Sequence, residues 1–131
     1  MIEQNTWQCP VPEIPRISGT GHQFGQRLVR FVDEIERLRE EAWIGDAVLA
    51  LFVRRWLLTV TGRQMSFAER TALFELFASN RFLSNFGEPT RVEAEIGRLY
   101  QSEGLSTAFA FIEAKFLERF LNTARKRGHR L

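Results

Sequence analysis

The chain has 131 residues, 44% of them hydrophobic, twelve phenylalanines and a formal charge of +2. That length fits one domain with a single packed core. The lone cysteine, Cys9, excludes an intramolecular disulfide, zinc-type Cys/His clusters are missing, and no apolar run reaches the roughly 18 residues that span a bilayer.

Residues 1–25 hold Pro10, Pro12 and Pro15 and then Ser18-Gly-Thr-Gly21. Proline removes amide donors and glycine raises the entropy cost of ordering. An irregular arm is expected, with Trp7, Val11, Ile14 and Ile17 available to lie on the body of the domain.

The body is expected over residues 26–131. From Gln26, Leu28, Val32, Ile35 and Leu38 recur at helical spacing between charged residues, giving one apolar stripe and one solvated face. From Ala42 to Leu58 the pattern turns almost wholly apolar, as a central buried helix requires. The pattern permits a break near Arg39 without requiring one. Asp46 is set into this apolar stretch, where a charge costs free energy unless something compensates it.

Gly62 is a candidate helix terminator, and Ser66-Phe-Ala-Glu69 is a capping box opening a helix through Leu73, Phe74, Leu76 and Phe77. A short helical piece is expected over Asn80–Phe86, and Gly87-Glu-Pro89 breaks the chain. The next helix is expected from Thr90 to Gln101, with Val92, Ile96 and Leu99 inward, ended by Gly104. Ser106 or Thr107 can cap the last helix, whose stripe is Phe109, Ile112, Phe116, Phe120 and Leu121. No segment alternates with period two, so the expected fold class is all-α.

Three stretches resemble the ribonuclease III nuclease domain. Ile44-Gly-Asp-Ala-Val-Leu49 is similar to its "LGDAVL" helix, Ala78-Ser-Asn-Arg-Phe-Leu83 to its "VSNxxLA" segment, and Val92-Glu-Ala-Glu-Ile-Gly-Arg-Leu-Tyr100 to its "FEALIGAIY" helix. They occur in the family's order and cover about Glu41 to Gly104. The resemblance implies a ribonuclease III-like helical endonuclease domain that hydrolyses phosphodiester bonds in double-stranded or structured RNA. It implies Asp46 and Glu93 as catalytic carboxylates and ligands of Mg2+, with Mn2+ also acceptable to oxygen donors. These two lie 47 residues apart, so only the tertiary fold can unite them.

Two acidic positions of the larger enzymes are replaced by Arg39 and Ala42, and a third by Thr90. The alanine, the threonine, Arg54 and the lack of an appended double-stranded-RNA-binding domain resemble the Mini-III subfamily, which trims ribosomal RNA precursors. The same resemblance implies a homodimer with Trp43 docked into the partner subunit. Arg54, Asn80 and the basic tail residues Arg125, Lys126 and Arg127 are candidate RNA contacts, since cations at a helix end suit phosphates. Such an enzyme is expected in a reducing interior compartment, the cytoplasm or an organelle, with no membrane partner.

Each assignment has a structural alternative. Asp46 could pair with Arg39, replacing a metal by a salt bridge. Thr90-Arg-Val-Glu93 is itself a capping-box pattern, which would make Glu93 a helix-start device. Asn80 could hold local backbone geometry through its amide. Trp56 reads as core. The alternative function is a catalytically inactive ribonuclease III fold serving as an RNA-binding or ribosome-associated component.

Overall fold

The computed structural model describes residues 23–61 and 64–131. Among them are five helices and no strand, as expected of an all-α chain. These are α1 Gln23–Thr61, α2 Phe67–Phe77, α3 Asn80–Leu83, α4 Pro89–Glu103 and α5 Leu105–Lys126. The arm residues 1–22 and the candidate terminator Gly62 lie outside the described residues.

Helix α1 runs unbroken through Arg39 and begins three residues before Gln26. At 1.5 Å per residue it is about 58 Å long. Its two halves have different surroundings. Beyond Ala42, Val48, Leu49, Phe52, Val53 and Leu57 are buried beneath the other helices. Before it, Leu28, Val29, Phe31 and Val32 stand about half exposed. The stripe expected to face inward is therefore uncovered at Leu28 and Val32, and only half covered at Ile35 and Leu38. Among the described residues no element packs over that end of the helix.

The core closes around phenylalanine. Phe77 of α2, Phe82 of α3 and Phe120 of α5 meet at ring-centroid distances of 4.4 to 6.0 Å, and Phe86 stands edge-on to Phe116 at 4.6 Å. Each fully buried side chain of this size contributes roughly 1.5–3 kcal/mol relative to exposure. Trp56 packs on Phe120 at 5.7 Å, in keeping with a core role. Among the described residues no polar or charged side chain is buried.

Local chemistry sets the boundaries. Ser66 Oγ accepts from the Glu69 amide at 3.1 Å, one half of the expected capping box. The other half is absent, because the Glu69 carboxylate instead meets His129 Nδ1 at 3.3 Å. Helix α3 stops at Leu83, short of the expected Phe86, and turns follow. The last helix is not capped by Ser106 or Thr107. Gly104, at φ 93° and ψ 178°, both ends α4 and starts α5, with no side-chain cap. That backbone region is open essentially to glycine alone. It lets α5 fold straight back after a single residue.

A candidate acidic site where α1 crosses α4

The most extensive helix pairing in the fold is α1 with α4. Two glycines make it. A Cβ added to Gly45 would collide with the carbonyl of Glu93 and lie 2.9 Å from the Gly97 amide nitrogen. A Cβ on Gly97 would collide with the carbonyl of Glu41 and lie 2.9 Å from the Gly45 nitrogen. The backbones therefore touch, closer than any side chain permits. Such contact fixes the neighbours of each glycine against one another. On one flank Arg98 donates through Nε and Nη2 to Glu41 Oε2, at 3.2 and 3.1 Å. On the other flank Glu93 faces Asp46. The order of these pairs shows that the helices run in opposite senses.

The two carboxyls are near enough for Asp46 to act on the Glu93 proton. Glu93 is half-buried beside the crossing, while Asp46 is exposed. Burial raises the Glu93 pKa most. The Asp46 charge and its hydrogen bond raise it further, and Glu88 adds a smaller push, bringing it to about 7. A carboxyl held there gives up its proton readily when a cation arrives.

Both structural alternatives for this pair are overturned. Arg39 does not reach Asp46; its Nη1 pairs with Glu36 one turn back at 3.3 Å, and both side chains face solvent. The N-cap of α4 is Glu88, not Thr90. Its carboxylate accepts from the amides of Thr90 at 3.1 Å and Arg91 at 3.0 Å. These bonds, the Thr90 amide foremost, hold its pKa below the usual range. Glu93 lies a full turn inside the helix, free of any capping duty.

Among the described residues neither Asp46 nor Glu93 has a basic partner. Two crowded carboxyls without a counter-charge, one of them open to solvent, fit a divalent cation. No group of three or more His, Cys, Asp or Glu suited to a metal exists among the described residues. The fit is thus to an ion that takes one or two protein oxygens and fills its remaining positions with water and substrate phosphate, as magnesium does.

The other candidate residues make different contacts. The Arg54 guanidinium lies 4.2 Å over the Phe74 ring. Asn80 is exposed at the start of α3, and its side-chain amide is in none of the hydrogen bonds made among the described residues. The neighbouring Ser79 does that work, accepting from the Phe82 amide at 3.1 Å and donating to the Leu76 carbonyl at 2.7 Å. Arg125 donates to the Leu131 carbonyl at 3.3 Å, and Lys126 and Arg127 are exposed at the end of α5. Trp43 is 78% exposed on the outer side of α1. Sequence reasoning missed Gly97 as the second half of the crossing and the Glu41–Arg98 pair beside it. Glycine opposite glycine on two helices was the available signal.

No family model, no curated protein and no solved structure matches the chain. No helix among the described residues is long and apolar enough to cross a membrane.

Proposed function

We propose that the chain is a metal-dependent endoribonuclease of ribonuclease III type, acting on double-stranded or structured RNA, with ribosomal RNA maturation a fitting role. The observation that carries this reading is the meeting of Asp46 with Glu93 at a glycine-on-glycine crossing, with no basic partner among the described residues. Two of the three segments that resemble the nuclease family contribute to that crossing.

In this reading Asp46 and Glu93 hold Mg2+ or Mn2+. When bound, such an ion orients the scissile phosphate and lowers the pKa of an attacking water. The chain's own part is geometric and protonic. Gly45 and Gly97 fix the separation of the carboxyls. Glu93 releases its proton as the site fills, and the exposed Asp46 leaves one side open to substrate.

The reading includes a homodimer. Trp43, Ala47, Leu51, Arg54 and Leu58 lie on one exposed stripe of α1. Beside its far end is a groove of about 350 Å³ lined by Leu57, Leu58, Phe67, Phe74 and the aliphatic stem of Arg54. A second copy packed antiparallel about Leu51 brings its Trp43 to this groove. Aromatic anchors in apolar pockets carry much of an interface's free energy.

A second reading has one observation in its favour. Among the described residues no third acid joins the pair as a metal-binding group, and Arg39, Ala42 and Thr90 stand where the larger enzymes have acids. This favours a catalytically silent fold that binds RNA or a ribosome. Incubation of a generic RNA duplex with magnesium separates the two. The enzyme reading expects wild-type cleavage that Asp46→Asn and Glu93→Gln each abolish. Binding without cleavage, indifferent to both substitutions, establishes the silent form.

A further inference from the structure

A second groove lies between α2, α3 and α5, and neither Asp46 nor Glu93 lines it. Its volume is about 530 Å³, and its polar lining includes Glu75, Arg81, Asn85, Arg119, Thr123 and Arg127. Three guanidiniums face one carboxylate. None of the three is in an ion pair among the described residues.

The central arginine is positioned. Arg119 Nη2 donates to Asn85 Oδ1 at 3.1 Å, and Asn85 is itself fixed by donating through Nδ2 to the Phe82 carbonyl at 2.8 Å. A neutral amide orients the guanidinium and leaves its charge available. Arg119 and Arg127 lie two turns apart on α5, about 12 Å between their backbone positions. That is wider than one phosphate group. The groove is an open trough rather than an enclosed pocket, which suits a strand passing through it. Arginine forks match phosphate oxygens, and phosphate contacts fix a protein's position on a duplex without reading sequence.

We propose that Arg81, Arg119 and Arg127 form a phosphate-binding groove for the backbone of an RNA strand, with Asn85 as the positioning residue of Arg119. This inference rests on the RNA-binding part of the proposed function and does not depend on cleavage. It adds a contact surface separate from the acidic pair.

The test uses the full chain carrying Asp46→Asn, in chelator, binding a fluorescent RNA duplex over a salt series. Adding Arg81→Gln, Arg119→Gln and Arg127→Gln together is expected to weaken binding at least tenfold at about 100 mM salt. It should flatten the log–log salt dependence by about 2 to 3, near 0.7–0.9 for each phosphate that the variant no longer neutralises. The matching triple change to lysine should recover most of the affinity. Asn85→Ala should lower affinity by a smaller factor, with the salt slope little changed. All four side chains are exposed, so thermal melts should agree with wild type.

Unchanged affinity and slope in the glutamine variant overturn the groove while leaving RNA binding intact. If inorganic phosphate raises the melting temperature of wild type but not of the glutamine variant, and RNA binding is indifferent to it, the groove is a small-anion site and the RNA assignment falls. If the Asp46→Asn chain and wild type both fail to bind duplex, the proposed function and this inference fall together. Binding without cleavage removes only the nuclease reading.

Discussion

A carboxyl that sits near pH 7 is a stored cost of the cation-free protein. Glu93 is neutral at pH 5 and ionised at pH 8, where burial and the Asp46 charge both oppose it. Its folded pKa, about 7, is above the ordinary value of 4.5. Its contribution to stability is therefore fully present below 4.5 and lost as pH rises through 7. Glutamine at this position is neutral throughout. In chelator, Glu93→Gln and wild type should melt alike at pH 5, and the variant should melt higher at pH 8. This side chain is only partly buried, which limits the gain to a few degrees. A variant that melts lower than wild type at pH 8 would show that Glu93 holds the fold together. Both acids were legible in the sequence as matches to a motif. The fate of Arg39 was not. Helical angle places it on the face of Asp46, but Glu36 lies one turn away and takes the charge.

The crossing of α1 and α4 carries the geometry of the site. Gly97→Ala drives a methyl group into the Glu41 carbonyl. Overpacking costs roughly 1–3 kcal/mol where side chains can yield; here backbone must move, so the upper end is expected. The helices would part, Asp46 and Glu93 with them. A denaturant melt should show the loss of stability, and cleavage should fall further than stability explains. Retained stability with full cleavage would mean that the helices slide without cost. Helix content and order were legible from apolar periodicity. The junction at Gly104 was partly so. A glycine there marks the end of α4, but in sequence the hydroxyls of Ser106 and Thr107 look like the cap of α5. The backbone turn is tight enough to start α5 on the next residue, before either hydroxyl is reached. The role of Gly97 emerges only once α4 is laid against Gly45.

Taken as one body, the described residues leave apolar surface uncovered on α1. Trp43 and Leu51 are exposed along the helix, Leu58 and Phe67 are exposed in the lining of an apolar groove near its C-terminal end, and Leu28, Val29, Phe31 and Val32 are exposed on the end that no other described helix covers. Exposed apolar side chains of this size suit the packing that the proposed homodimer would supply. Trp43→Ala should raise the monomer–dimer dissociation constant at least tenfold by analytical ultracentrifugation, about the 1.4 kcal/mol that a modest interface anchor supplies. Sedimentation identical to wild type would discard Trp43 as the anchor. A tryptophan inside an apolar helix reads equally as core or interface in sequence, because periodicity cannot tell a neighbouring helix from a partner's. The half-covered start of α1 is illegible in the sequence for the same reason.

The proposed nuclease activity would require that Asp46 and Glu93 together hold a divalent cation. Binding of Mn2+ at pH 8, followed by electron paramagnetic resonance in the presence of duplex RNA, reads that directly. One site per chain in wild type, lost in Asp46→Asn and in Glu93→Gln while both variants remain folded, is the predicted result. Absence of a bound ion in wild type, or a site that survives both substitutions, would contradict it.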